Sequence, residues 1–395
     1  MVMSGREQRV AELRERVPQI AVEEAYRLAQ GSATLLDVRD PEELAAGSPR
    51  GAVRLGRSFL ELKVEDAIPE TQAPVLVLCA SGVRSLFAAD SLLRLGYRDV
   101  RSVAGGYEAW KRAELPIEQP RILSTQERNR YARQLRIPEI GERGQEKLLA
   151  SRVLLVGAGA LGSPAALYLA AAGVGTLGIV DRDTVELSNL QRQILHTTER
   201  VGTPKTQSAW QTLNALNPSI QINTHELRLD STNAEDVVRD YDLVIDGTDN
   251  FPARYLLNDV CLKLKLPYVY GSIYRFEGQV SVFWPAAAPA TAPTPCYRCL
   301  YPAPAPAELA PSCAEAGVLG VLPGVIGTLQ AIEALKLILQ LGDTLIGRLL
   351  CYDALTATFR EFKTTADPQC PYCSRCDAFP GYIDYDAFCR DAQVA

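Results

Sequence analysis

Short apolar runs alternate with helix-compatible segments along most of this chain. Between about 18 and 118 the units are small. A helix is expected over Val22–Ala29, followed by a strand over 34–38; a strand over 74–79 ends in a loop, and a helix over 85–95 follows. A strand near Val100–Val103 leads through Gly105-Gly106-Tyr107 to a short helix around Trp110. Such β–α alternation predicts a parallel sheet with helices on both faces. Residues 1–17 carry charges throughout and read as a solvated leader helix without a role in chemistry.

Breaker and polar residues at 119–124 mark a linker. The second domain, 125–375, opens with a helix over 125–135. An apolar run over 153–156 ends in Gly157-Ala158-Gly159-Ala160-Leu161-Gly162, with a helix expected over 163–172. A second apolar run ends at Asp181, and strands are expected over 243–246 and 268–270. Residues 284–311 are rich in Pro and Ala and read as an extended loop. A long apolar helix over 325–341 precedes a cysteine-rich stretch and a C-terminal tail over 376–395.

The 395 residues suffice for two domains with sizeable cores. A net charge of −6 argues against nucleic acid as the main partner. The N-terminus has charges where a signal peptide needs an apolar core. The uncharged stretches 163–180 and 316–332 contain Gly and Pro, so they read as buried strand–helix units rather than membrane spans. A cytoplasmic location is the expectation, and there cysteines stay reduced. Ten cysteines against two histidines, His196 and His225, disfavour a Ser-His-Asp hydrolase and place the chemistry on Cys, Lys, Arg and Asp.

Gly157, Gly159 and Gly162 fit a dinucleotide-type fingerprint: a tight turn, close backbone approach to phosphate, and a helix N-terminus facing it. Asp181 stands 19 residues beyond Gly162, where an acid holds a ribose hydroxyl. An NAD-dependent oxidoreductase shares this much. Asn189, Arg192, Gln193 and Lys205 follow, enough to neutralise a triphosphate rather than a pyrophosphate. Asp249 follows a strand, the place for an Mg²⁺-binding carboxylate.

The cysteines sort into three roles. Cys296-x₂-Cys299 and Cys370-x₂-Cys373, about 70 residues apart, each present two thiolates and together can complete a tetrahedral Cys₄ zinc site; Cys376 is left out as a spare. Cys79 opens a Cys-x-x-Gly-x-Arg-Ser loop between a strand and a helix, where backbone N–H groups stabilise a thiolate or persulfide. A phosphatase with a Cys-x₅-Arg loop is the rival there. Cys313, in Pro-Ser-Cys-Ala-Glu before the long apolar helix, is an accessible candidate nucleophile.

The glycine motif, Asp181-x-Asp183, Ser-Asn-Leu-Gln-Arg-Gln, Gly-Thr-Pro-Lys and Asp-Gly-Thr-Asp-Asn, in this order over about 125–375, resemble the ubiquitin-activating-enzyme-like adenylyltransferases, most closely the molybdopterin-synthase and thiamine sulfur-carrier activating group. The Cys79 loop, with Leu36-Asp37-Val38-Arg39 and Gly105-Gly106-Tyr107, resembles a rhodanese domain over 18–118, placed before rather than after the adenylation domain. The resemblance implies an α/β protein: a rhodanese-like domain, then a Rossmann-like ATP-binding domain with a mixed sheet and a Cys₄ zinc site. It implies that Asp181 binds the ATP ribose, that Asn189, Arg192 and Lys205 grip phosphates, and that Asp249 holds Mg²⁺. In Arg130-Tyr131-Ala132-Arg133-Gln134 it implies that Arg133 reaches the ATP of a partner subunit in a homodimer, although Ala132 departs from the expected Asn. The implied partners are a ubiquitin-fold sulfur carrier ending in Gly-Gly, with the molybdopterin synthase small subunit as first choice, and a sulfur donor such as a cysteine desulfurase or thiosulfate. The implied reaction is adenylation of the carrier's C-terminal glycine, then sulfur transfer from a Cys79 persulfide to form a thiocarboxylate, with Cys313 acting between. Alternatives are a nucleotide-binding scaffold with an inactive rhodanese domain and an activator of a thiamine or tRNA-thiolation carrier.

Overall fold

The structure, a computed structural model, describes residues 4–119, 121, 123–287, 294–305, 317–374 and 379–394. The chain forms two compact units. The first runs to Ala132 and takes in Arg136–Pro138; the second comprises Arg133–Leu135 and Glu139–Ala395.

In the first unit the strands are β1 (Gln19–Ile20), β2 (Thr34–Asp37), β3 (Ser48–Pro49), β4 (Val53–Arg54), β5 (Val75–Leu78), β6 (Val100–Val103) and β7 (Ile117–Glu118). A parallel sheet has the order β1-β6-β5-β2-β4, and β3 pairs antiparallel with β7. Central β5 is an unbroken apolar run because it is covered on both faces. Val75 and Val77 enter the core with Leu86, Leu92, Leu60 and Val64, whereas Leu76 and Leu78 enter the opposite core with Trp110, Tyr107 and Ala25. The leader helix, Gly5–Arg16, is not merely solvated. Its Leu13 is fully buried, and Arg9 and Arg16 pair with the nearly buried Asp90 of helix Arg84–Arg94.

The second unit holds β8 (Arg152–Val156), β9 (Thr176–Val180), β10 (Gln221–His225), β11 (Leu243–Asp246), β12 (Tyr268–Tyr274), β13 (Glu277–Phe283), β14 (Arg348–Asp353) and β15 (Thr358–Lys363). They form one sheet in that spatial order except that β10-β9-β8 precede β11. Pairing is parallel from β10 to β12 and antiparallel from β12 to β15, the expected mixed sheet. On one face, helix Gly162–Ala172 packs against helix Leu322–Leu339. On the other, helix Phe251–Leu264 packs against the C-terminal helix Tyr385–Val394.

The differences from expectation have local causes. The helix expected over 125–135 breaks at Tyr131 into Thr125–Arg130 and Ala132–Leu135, and its first half goes with the first unit. The long apolar helix starts earlier, at Leu322, because Pro323 suits the first turn. By length and composition it is the one helix among the described residues able to cross a membrane, yet half of it is buried here. It lies on β12 and β13, and its fully buried Gln330 donates to the carbonyls of Asp246 and Val269. The expected C-terminal tail contains a helix, anchored by the Tyr385 hydroxyl on Asp259 and by Phe388 edge-on to Tyr255.

Candidate active sites

Strand order reverses between β8 and β11: the chain goes from β8 outward to β9 and β10, then returns to the other side of β8. Loops leaving the C-terminal ends of two such strands diverge and leave a crevice between them. Here the loops nearly touch at its base. A Cβ on Gly247 would lie 2.6 Å from the Gly157 carbonyl oxygen, and one on Gly157, at φ +99°, would lie 2.6 Å from that of Gly247. A Cβ on Gly162 would lie 1.9 Å from the Gly157 oxygen, so this third glycine serves strand–helix packing.

The crevice opens into a cavity of about 1270 Å³. Gly157, Gly159, Asp181, Arg192, Gln193, Lys205 and Asp249 all line it. Asp181 is the organiser of the loop: one oxygen accepts from Ala158 N at 2.8 Å and the other from Asp183 N at 2.9 Å. Lys205 is 6 % exposed, with its ammonium 2.9 Å from Asp183. Arg192 donates to the Ser188 carbonyl at 3.0 Å. Gln193 is buried, and its Oε1 has no hydrogen-bond partner among the described residues. Asp249 is exposed at the mouth. Asn189 and Gly162 do not line the cavity; Asn189 is buried in the turn 186–189, its Oδ1 accepting from Glu186 N. Arg133 is exposed and does not line its own chain's cavity.

The four motif cysteines converge. Their Sγ atoms all lie within 4.8 Å of one another, with Cys296–Cys299 at 3.8 Å, Cys296–Cys370 at 3.7 Å and Cys299–Cys373 at 3.3 Å. Four sulfurs placed ~2.3 Å from one ion at tetrahedral corners lie ~3.8 Å apart, so this set can hold a metal. Hydrogen bonding with Cys296 pulls the Cys299 thiol below its ordinary value. Arg298, between the first two cysteines, forms a buried bidentate pair with Asp259 at 2.7 and 2.8 Å, which anchors the knuckle to helix Phe251–Leu264.

In the first unit Cys79 follows β5 and is fully buried. Its sulfur accepts from Gly82 N at 3.2 Å and lies 3.4 Å from Ser85 Oγ. The double glycine packs directly beneath: a Cβ on Gly106, at φ +56°, would lie 2.2 Å from the Cys79 carbonyl oxygen, which Tyr107 N holds at 2.7 Å. Arg84 is clamped by Glu43 at 2.5 and 2.7 Å and by Asp40 at 3.4 Å, an arrangement that orders the loop rim. Cys313 lies outside the described residues, as does Cys376.

The ThiF family profile matches residues 131–372, more than half of the chain. The chain belongs to the ThiF family. A rhodanese-like domain profile matches residues 21–113. A sulfur carrier protein adenylyltransferase of Thermus thermophilus is 50% identical over 264 residues, covering 67% of this chain and 97% of the relative. A probable adenylyltransferase/sulfurtransferase, MoeZ, of Mycobacterium tuberculosis is 50% identical over 273 residues, covering 69% of this chain and 68% of the relative. The crystal structure of E. coli MccB superposes with a TM-score of 0.55 at 22% identity, over 64% of this chain and 73% of that one, a likeness of fold.

Several residues of the ThiF unit were not singled out by sequence reasoning. His196 fixes the glycine loop from below: Nε2 lies 2.9 Å from the Ala158 carbonyl, to which it donates, so Nδ1 accepts from Ser208 Oγ at 2.9 Å. Burial pushes the pKa of this neutral ring down. Arg254 and Tyr270 line the cavity together with Tyr297 and Tyr301. Nothing local flags a lone arginine in helix Phe251–Leu264; only the fold sets it against Tyr270.

Proposed function

We propose that this ThiF-family chain is an adenylyltransferase and sulfurtransferase acting on a ubiquitin-fold sulfur carrier. The observation that carries the reading is that one cavity at the β8/β11 switch gathers a glycine turn, a ribose-side acid, two phosphate-side cations and Asp249. A carboxylate of the carrier's C-terminal glycine attacks the α-phosphorus of ATP, forming an acyl-adenylate and releasing pyrophosphate. The chain contributes position and positive charge at the phosphates. Asp181 takes the ribose; Lys205 and Arg192 exchange their present oxygen partners for phosphate oxygens. Asn189, one turn from the cavity, supports that end. Asp249 is the residue to hold Mg²⁺, which neutralises phosphate charge when bound. Arg133, exposed and absent from its own cavity, is assigned to the ATP of a second copy. The apolar hollow lined by Gln134, Tyr168, Ile332 and Leu335, with Tyr168 58% exposed, supports that homodimer.

Cys296, Cys299, Cys370 and Cys373 are assigned to structural zinc, on the sulfur spacing alone. The terminal sulfur of a Cys79 persulfide attacks the acyl carbon and expels AMP. A thiol, assigned to Cys313, then attacks the resulting acyl disulfide at the Cys79 sulfur, releasing thiocarboxylate and leaving a protein disulfide for a cellular dithiol to reduce. The carrier of first choice is the molybdopterin synthase small subunit. The test is ATP–pyrophosphate exchange with each Gly-Gly carrier of the same genome. Exchange that requires a carrier is expected; exchange with none of them would sink the reading.

A further inference from the structure

One buried cation in the ThiF cavity has no assigned task in binding the nucleotide. Arg254 stands five residues past Asp249 in helix Phe251–Leu264 and lines the same cavity. Its side chain is only 11% exposed. The guanidinium lies 5.6 Å from the Tyr270 ring and 5.8 Å from that of Phe251. Its acidic neighbour, Asp246, is 3.8 Å from Nε, outside hydrogen-bond reach. That fully buried carboxylate is already occupied by Thr248 N and Oγ1, at 2.8 and 2.7 Å, and by the Tyr268 hydroxyl at 2.7 Å. Arg254 Nη2 makes one long contact, 3.5 Å to the Thr248 carbonyl, and Nε has no hydrogen-bond partner among the described residues. Asp246 therefore supplies charge balance and orientation while leaving the guanidinium's donors largely unspent.

Of the other cavity cations, Arg182 and Arg390 are exposed, and the rest are engaged. Lys205 bonds Asp183 beside the glycine loop, Arg192 bonds Ser188, and Arg228 is held by both oxygens of Asp386 at 2.6 and 2.8 Å. The reaction proposed above brings two anions into this cavity, the triphosphate and the carrier's terminal carboxylate, and like charges brought close together repel. A buried guanidinium with free donors matches a carboxylate in shape and charge.

We propose that Arg254 is the residue that receives the C-terminal carboxylate of the carrier. Its unspent edge holds the attacking oxygens between Asp249 and the aromatic wall of Tyr270, Tyr297 and Tyr301. This assignment rests on the adenylation reading. Because the carboxylate loses its charge on attacking phosphorus, the contact is strongest before reaction, and its loss raises the carrier KM more than it lowers kcat.

The test uses the full chain, a non-hydrolysable ATP analogue, and one Gly-Gly carrier prepared as the C-terminal acid and as the C-terminal amide. Wild-type protein is expected to bind the acid about tenfold more tightly than the amide, the span of one charge-assisted contact. Arg254→Gln is expected to bind both forms equally weakly, with analogue affinity within about twofold of wild type. Arg254→Lys should regain part of the preference. The double variant Asp246→Asn/Arg254→Gln removes the buried pair together and serves where the single variant fails to fold. An acid preference retained in Arg254→Gln, or analogue affinity falling in step with it, overturns the assignment. Absence of carrier-dependent exchange in wild-type protein is a different failure: it removes the adenylation reading itself, and this assignment with it.

Discussion

Replacing Asp249 by alanine should separate the two chemistries of the chain. Asp249 is exposed, and among the described residues its one hydrogen bond is a long 3.5 Å contact from Asn250 Nδ2. The cap of the following helix is made by Asn250, whose Oδ1 accepts from Ala253 N at 3.0 Å, and it survives the substitution. Exposed substitutions of this kind change stability by about 0.5 kcal/mol or less, and in a domain of this size the melting temperature should move by roughly 2 °C at most. If the carboxylate holds the metal that offsets phosphate charge, its loss removes about 3–4 kcal/mol of transition-state stabilisation, or roughly 10²–10³-fold in rate. The assay pairs carrier-dependent ATP–pyrophosphate exchange with thiosulfate-to-cyanide sulfur transfer on the same preparation. Exchange should collapse while sulfur transfer is unchanged, because Cys79 belongs to the other compact unit. Loss of both activities would point to misfolding, and retained exchange would refute the role given to Asp249.

Cys79→Ala should give the opposite split, with exchange intact and sulfur transfer abolished; unchanged sulfur transfer would remove the rhodanese assignment. Gly106→Ala places a Cβ 2.2 Å from the Cys79 carbonyl at φ +56°. It should cost about 1–3 kcal/mol and cripple sulfur transfer alone, read by thermal melting and the same paired assay. Cys370→Ser should abolish the one zinc per chain expected by elemental analysis and lower the melting temperature of the ThiF unit, whereas full occupancy in this variant would refute the Cys₄ assignment. For pH, burial depresses the pKa values of His196 and His225 below the ordinary 6.5. The unfolded chain therefore takes up protons at these sites as pH falls through 6.5 while the native chain does not. Stability should drop on acidification from that point down to the depressed native pKa values, by at most about 1.4 kcal/mol per pH unit per histidine. His196→Gln should flatten that slope in melting curves taken between pH 7.5 and 5.5; an unaltered slope would refute the cause.

The central parallel strands were legible because burial on both faces leaves them as largely apolar runs, as in β5 and β11, each followed by a turn; the half-exposed edge strand β10, Gln-Ile-Asn-Thr-His, was not. The site motifs were legible because they sit directly after those runs. What was hidden has a common physical origin: it depends on contacts rather than on local pattern. The β12–β13 hairpin turns at Arg275, a non-glycine residue at φ 49°, so no Asn-Gly or Gly signal announces it. β15 is largely exposed, and its Thr-Phe-Arg-Glu-Phe-Lys pattern gains strand character from pairing with β14. The Cys₄ set was predictable from spacing, but Arg298 and Asp259, which lock the knuckle to a helix, sit 39 residues apart with nothing local to join them.

The antiparallel half of the sheet is what converts a nucleotide crevice into a site for a second substrate. Five parallel strands with the switch at β8/β11 suffice for the glycine turn and the phosphates. The cavity continues from Tyr270 of β12, the last of the five, to Gln279 of β13 and on to Tyr297 and Tyr301. Gln279 Oε1 accepts from the Tyr301 hydroxyl at 2.9 Å and from that of Tyr270 at 3.5 Å, so the antiparallel pair and the knuckle segment share one wall. Arg254 lies against that wall and Asp249 lines the same cavity. The Cys₄ knuckle, through Cys296 and Cys299, holds the segment bearing Tyr297 in place. If the four cysteines hold a metal, its removal should therefore weaken carrier binding before it weakens ATP binding, a separation that titrations of ATP and of carrier against chelator-treated protein would reveal. Equal weakening of both would mean that the knuckle supports the fold as a whole and has no selective hold on the second half of the cavity.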